Sequence, residues 1–292
     1  MDTGVTIEVW PPGDMGKARE AISRAFNWFH LVETTCNRFD RDSELARLSA
    51  TVWVPVAVSP LLFRLLQFAI GMAEASEGAF DPTVGDAMIR AGFRYGYRDG
   101  VESSPQSRQA TASYRDISID VPRRKVTLET AMTLDLGAVA KGFAIDLASE
   151  ELHKFPNHMI AAGGDLLVRG APPGLPSWPI QVRDPRDPAT ACRVLEVRDA
   201  AVCTSGSYLR TQPDVAEGHH LLDPVTGQSA HGLISATVVA SSGMLADALA
   251  TAACVLGPAR ALPLIARYDA EALLIDPSFE MTATPGLDRS AP

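Results

Sequence analysis

The chain has 292 residues, 46% of them hydrophobic and 21% charged, which is enough apolar content to bury one large core or two modest ones and excludes a disordered chain. Its 26 Lys and Arg against 35 Asp and Glu leave a formal charge of -9, with the two signs interspersed. No basic patch marks a nucleic-acid surface, so nucleic acid is not an expected partner.

No run of 18 apolar residues occurs, and the opening "MDTGVTIEVW" lacks a basic stretch followed by a greasy one. As the sequence stands, neither secretion nor a transmembrane segment is expected. Cys36, Cys192, Cys203 and Cys254 are scattered singly, without C-x-x-C pairs. They read as free, mostly buried thiols of a reducing compartment, with two disulfides as the alternative.

In chain order, "VTIEVW" alternates apolar and polar residues and predicts a strand. After "PPGD", the segment from Met15 to Phe39 turns helical, with Ala18, Ile22, Ala25, Phe29 and Val32 on one face. "SPLLFRLLQFAIGMAEAS" carries Ser59 as N-cap and Pro60 at the first helical position, a start signal with a mechanism. Gly92 to Ser113 is polar and glycine-dotted, and reads as a surface loop. "DISIDVPRRKVTL" predicts a hairpin and "LDLGAVAKGFAIDLASEEL" a loop entering a helix. "HMIAAGGDLLVRG", "PIQVRD", "CRVLEVRDAAVCTS" and "ISATVVAS" read as successive strands, "GMLADALATAACVLG" as an Ala-rich helix and "AEALLID" as a last strand. Strand runs broken by helices without regular βαβ alternation give α+β with mostly antiparallel sheets and packed helices. No internal repeat or linker divides the chain, so one domain is expected over residues 1–292, with the polar loop at about 92–113.

Several groups stand out chemically. Asp135 and Lys141 sit in an apolar run bracketed by Gly137 and Gly142, but the lysine precedes the second glycine, so no Walker phosphate loop is present. Two readings stay open there: a first helical turn facing an anion, or a capping Asp135 with Lys141 snorkelling to solvent. "AFDPTVGD" reads either as a helix-ending Asp-Pro turn or as part of a site. Asp247 and Thr251 lie four apart on one helix face and offer oxygen donors of the kind a hard cation such as Mg²⁺ takes, although a polar stripe is more often a solvated face. In "EGHHLLDPVTG", His219 and His220 precede a turn, as structural imidazoles or as proton-transfer groups. The glycines of "AAGGDLLVRG" and "CTSGSYLR" mark tight backbone packing or close approach to a ligand.

Taken together and in this order, "FDRDSELARLS", "GAFDPTVG", "LDLGAVAKGFAID", "AGGDL", "TSGSYLR", "HHLLDPVTG" and "ADALATA" resemble the ApbE family, the FAD:protein FMN transferases, over nearly the whole chain. The resemblance implies an ApbE-like (T-fold-like) architecture. It also implies an enzyme that cleaves the pyrophosphate of FAD with Mg²⁺, attaches FMN by a phosphoester to a Ser or Thr of an acceptor protein, and releases AMP. Carried over residue by residue, flavin contacts fall on Phe39, where relatives often have tyrosine, on Ala79, Phe80, Asp81, Asp135 and Lys141, and near Leu221. Metal ligands fall on the Ala138 carbonyl, Asp247 and Thr251, and the active-site histidine on His220, as a proton-transfer or phosphate-contacting group.

Two departures from the family pattern stand out. An M-G-T motif of the relatives is replaced by "MDT", with Asp2 for its glycine. The lipoprotein leader of many relatives is missing too, which implies a cytoplasmic enzyme as the sequence stands, or a periplasmic or membrane-anchored one if a leader lies upstream. Rival expectations are Mg²⁺-dependent hydrolysis of FAD to FMN and AMP, and a non-catalytic FAD-binding protein. The latter has no need of Asp247, Thr251, Asp135 and His220.

Overall fold

Alternation along Val5–Trp10 makes the first strand, β1, and its partners come from far along the chain: β1 pairs antiparallel with Asn157–Ala162 (β5). The structure is a computed structural model that describes residues 3–10, 13–96, 100–107, 112–208 and 218–288. The β5 strand turns through Gly163–Gly164 into Asp165–Arg169 (β6), and the sheet continues through Ala201–Gly206 (β9), Ser235–Ala240 (β10), Glu271–Ile275 (β11) and Met281–Ala283 (β12). Every pairing in this seven-stranded sheet is antiparallel, and the sheet is open. A two-residue turn with positive φ at both positions suits the twist of a hairpin, and glycine takes that backbone without cost: φ is 61° at Gly163 and 98° at Gly164.

The longer helices gather on one face of this sheet. Met15–Cys36 (α1) is capped by Asp14, whose carboxylate accepts from the amides of Gly16 and Lys17. It packs on Gly137–Glu151 (α5), which in turn packs on Gly243–Leu256 (α6). Pro60–Ala75 (α3) starts where expected: Ser59 Oγ accepts from Leu62 N at 3.2 Å, and Glu44 of the short helix Glu44–Ser49 (α2) accepts from Ser59 N and Oγ. Gly85–Arg90 (α4) follows the Asp81-Pro82 turn. Strand alternation sorts neighbouring residues to opposite faces. Leu167, Ala201, Cys203 and Leu274 enter the main core under the helices, while Val168, Val202 and Leu273 face a second, smaller core. A separate hairpin of Trp178–Asp184 (β7) and Asp187–Val197 (β8) closes that second core with Trp178, Ile180, Val182, Leu195 and Val197.

The hairpin predicted over "DISIDVPRRKVTL" is Ile117–Asp120 (β3) with Lys125–Leu128 (β4), joined by Val56–Ala57 (β2) into a three-stranded sheet. Pro258–Arg267 (α7) and Pro285–Asp288 (α8) are not anticipated by the sequence pattern. The stretch read as a loop from Gly92 to Ser113 carries local pairing: Tyr95 bridges Glu102, Gly96 N donates to Val101 O, and Ser103 N donates to Arg94 O. Residues 97–99 and 108–111 of that stretch lie outside the described residues. All four cysteines are free. Cys203 and Cys254 are buried, Cys36 and Cys192 half-buried, and burial pushes the Cys36 and Cys254 thiols up to about 12. Among the described residues no helix is long and apolar enough to cross a membrane.

Candidate active site

The helix α5 is apolar almost all round, with Val139, Ala140, Phe143, Ala144, Ile145, Leu147 and Ala148 buried, so a lysine in its second turn has little route to water. Lys141 does not snorkel outward. Its ammonium is ion-paired with Asp165 Oδ2 and lies 3.2 Å from Asp247 Oδ2, and the side chain is 19% exposed. The two carboxylates are 3% and 7% exposed, and burying them is tolerable because the ammonium compensates them.

Both carboxylates of this cluster are held by backbone amides. Asp165, first residue of β6 after the Gly163–Gly164 turn, accepts from Thr204 N at 2.9 Å through its other oxygen. Asp247 Oδ2 also accepts from Gly142 N at 3.1 Å. In a regular helix that N–H serves the carbonyl four residues back, which is Ala138. Thr251, one turn after Asp247, shares a hydrogen bond with Ser205 of β9 at 3.2 Å. The α5–α6 approach requires glycine on both sides: a Cβ at Gly142 would collide with Gly243 O, and one at Gly243 would lie 2.7 Å from Gly142 O.

Asp135 behaves as a cap and more. Its Oδ1 accepts from Gly137 N at 2.7 Å, and its Oδ2 pairs with Arg38 Nε at 2.7 Å. Arg38 is buried, donates through Nη2 to Phe93 O at 2.6 Å, and stacks 4.0 Å over the Phe39 ring. Asp81 is buried in the Asp-Pro turn. Its Oδ1 accepts from Thr83 N and Oγ1 at 2.9 and 2.8 Å, its Oδ2 from Tyr114 N at 3.1 Å, and burial nonetheless holds its carboxyl above the usual range. Asp135 N donates to Pro82 O, so the 79–82 turn and the start of α5 form one wall. Phe80 and Leu221 are core residues, Ala79 is buried, and Phe39 is half-buried.

The histidine pair divides by burial. His219 points inward: its Nε2 donates to Ala230 O at 2.9 Å, its backbone N donates to Ser229 Oγ, and burial lowers its pKa. His220 is half-buried, directly before Leu221. The Met1-Asp2 departure, and Leu209 and Arg210 of "TSGSYLR", lie outside the described residues.

The structure thus brings Lys141, Asp247 and Thr251 together, and places Asp135 with Phe39 through Arg38. Sequence reasoning missed Asp165 and Arg38 as members of these clusters. The signal for Asp165 was its place directly after a Gly-Gly turn; for Arg38, its place between Asn37 and Phe39 carried none.

As to a metal, the notable feature is the hardness of the donors: the Asp247 carboxylate, the Thr251 hydroxyl and the Ala138 carbonyl are all oxygen. Only one of them is an Asp, Glu, His or Cys side chain, and among the described residues no group of three such side chains could hold an ion. A single carboxylate completed by substrate phosphates is nevertheless the usual setting of Mg²⁺, so these residues fit that ion.

Comparison with known proteins bears on the family and the fold. The chain is 30% identical to the FAD:protein FMN transferase of Treponema pallidum, with 96% of this chain and 84% of that protein covered. It is also 30% identical to the enzyme of the same name from Haemophilus influenzae, covering 84% and 75%. The crystal structure of the ApbE protein of Thermotoga maritima superposes with a TM-score of 0.83 at 27% identity, covering 98% of this chain and 95% of that one. The flavin transferase ApbE of Vibrio cholerae superposes equally well, with a TM-score of 0.83 at 26% identity and coverage of 99% and 96%. The ApbE family model matches residues 1–274, and the chain belongs to the ApbE family.

Proposed function

We propose that this chain is an FAD:protein FMN transferase that cleaves the pyrophosphate of FAD, joins the FMN phosphorus to a Ser or Thr hydroxyl of an acceptor protein, and releases AMP. The observation that carries the reading is the inward Lys141 set between Asp165 and Asp247, with Thr251 beside them. Two carboxylates and one ammonium leave this spot one charge negative, and a pyrophosphate approaching Asp247 needs a cation between them. Mg²⁺ held by Asp247, Thr251 and the Ala138 carbonyl would supply that charge neutralisation.

The chain's own groups do the rest. Lys141 contacts a phosphate oxygen, and Asp165, anchored by Thr204 N, keeps the ammonium turned toward the substrate. Phe39, Ala79, Phe80, Asp81, Asp135 and Leu221 frame the flavin, with Arg38 fixing Phe39 against Asp135. His220 takes the proton of the attacking hydroxyl or contacts the phosphate as that oxygen bonds to phosphorus and the bond to AMP breaks.

The test is purified protein with FAD, Mg²⁺ and a peptide bearing an acceptor Thr, followed by mass spectrometry and AMP assay. Peptide-bound FMN with stoichiometric AMP is expected. Free FMN with AMP would make the chain a hydrolase, and bound FAD with no AMP under any condition would leave it a flavin-binding protein.

A further inference from the structure

The helices α5 and α6 each carry the pattern Gly-x-x-x-Asp where they meet: Gly142 to Asp146, "GFAID", and Gly243 to Asp247, "GMLAD". Residues four apart share a helix face, so each helix presents a glycine and an aspartate to the other. The contacts are reciprocal. Asp247 of α6 accepts from Gly142 N of α5 at 3.1 Å, and Asp146 of α5 accepts from Gly243 N of α6 at 2.6 Å and from Met244 N at 2.9 Å. The two glycines lie backbone to backbone between the aspartates. The helices therefore run antiparallel where they touch, clasped by two carboxylates related by an approximate twofold.

One half of the clasp is already in the proposed site; the other half is not. Asp146 satisfies the first two amides of α6 and Ser242 Oγ the third, at Leu245 N, so Asp146 fixes how α6 begins. Asp247 and Thr251 follow one and two turns later on that helix. We propose that Asp146 is a positioning residue, which by holding the N-terminus of α6 against α5 sets where Asp247 and Thr251 stand relative to Lys141 and the Ala138 carbonyl. The inference rests on the metal and substrate reading above, but its test does not depend on turnover.

Asp146 is reachable from solvent. It lines a cleft of about 480 Å³, faced by Arg64 of α3 and Arg169 of β6, with Glu150 of α5, His153 just past its end, His158 of β5 and Asp199 also lining it. Lys141 on its own helix and Asp247 on α6 are the charged groups beyond the glycines. Burial pushes the Asp146 carboxyl up to about 6 against the lowering pull of the two amides and the two arginines.

Asp146→Asn keeps the side-chain size but turns one acceptor into a donor facing a helix amide. In the wild type and this variant, Mn²⁺ affinity without FAD is measured by calorimetry, and amide exchange is followed at Gly142, Gly243 and Met244. The expected result is a loss of Mn²⁺ affinity of about 10- to 100-fold. Faster exchange at Gly142 is expected as well, although that amide bonds to Asp247 and not to Asp146. Where FAD is turned over, kcat should fall while KM changes little. Wild-type Mn²⁺ affinity with unchanged Gly142 exchange in the folded variant would overturn the proposal. Should the variant not fold, the wild type alone decides: exchange at Gly142, Gly243 and Met244, corrected for its intrinsic pH dependence, is expected to speed up together as pH rises through about 6, where the buried carboxyl loses its proton, and independent behaviour of Gly142 would overturn it. If FAD is never cleaved the functional reading fails by itself, and the metal and exchange measurements still answer this question.

Discussion

Asp81 and Asp247 are both buried carboxylates, and the protein treats them oppositely. Around Asp81 the hydrogen-bond donors are neutral: Thr83 of the same turn and the Tyr114 amide. Around Asp247 the partners are the Lys141 ammonium, an amide from another helix, and through the lysine a second carboxylate. Fixed dipoles around Asp81 lock a turn. A lysine between two carboxylates can instead exchange one partner for a phosphate or a metal at small cost, because the charges rearrange without any being left alone. The first arrangement holds one fixed shape, which suits a turn that frames a flavin, and the second leaves charge that can be shared with a phosphate or a metal.

Substitutions can break this contrast. Asp247→Ala should lower AMP release by roughly a thousandfold, the scale of losing several kcal/mol of charge stabilisation, while FAD binding weakens only modestly. Unchanged AMP release would remove Asp247 from the chemistry. Asp81→Ala strands the Thr83 and Tyr114 amides in a buried turn and should cost about 3 kcal/mol of stability, read as a lower denaturant midpoint, with weaker FAD binding but a far smaller effect on kcat than Asp247→Ala. Equal loss of rate in both variants would erase the distinction between them.

Lys141→Ala should weaken FAD binding by about tenfold or more, since a charge-assisted phosphate contact is lost, and unaltered affinity would place the lysine on the structural side of the comparison. The remaining Asp165 and Asp247 would then be left as buried like charges without the ammonium between them. A pH effect of about 3 kcal/mol follows from Asp146. Its native carboxyl at about 6 lies above the ordinary 3.8, so its contribution to stability is complete below the ordinary value and is lost as pH rises through about 6. The slope of stability between pH 4 and 7 should be flatter in Asp146→Asn, by urea titration at each pH. The smallest effect expected is for Ser149→Ala, which deletes the buried Ser149–His158 hydrogen bond of 2.9 Å behind α5, about 1 kcal/mol of stability with the rate intact.

Much of the fold could be read in advance because its signals are local. The Ser59-Pro60 helix start, the β3–β4 hairpin and the alternation of β1 each depend on neighbours within a few residues. The helix α7 escaped because Pro263 interrupts its ten residues, and α2 because six residues carry too little periodicity. The direction of Lys141 was beyond local reading: the choice between snorkelling outward and turning inward depends on Asp165 and Asp247, the latter 106 residues away, and nothing near position 141 encodes them. The family's motifs named Asp247 and Thr251 as partners of Ala138. The Gly142–Asp146 and Gly243–Asp247 correspondence stayed invisible because each half, read alone, is an ordinary stretch of apolar helix.

The pairing of β1 with β5 has a consequence for biosynthesis. About 150 residues separate the two strands, so the edge strand made first waits, with its backbone groups unsatisfied, until half the protein has been synthesised. Lys141 is present by then, but Asp247 is not, since α6 comes another 80 or so residues later. During translation Asp165 is therefore available to the lysine before Asp247 is, and the Lys141–Asp247 half of the cluster can close only near the end of the chain's emergence, when the last strands complete the sheet.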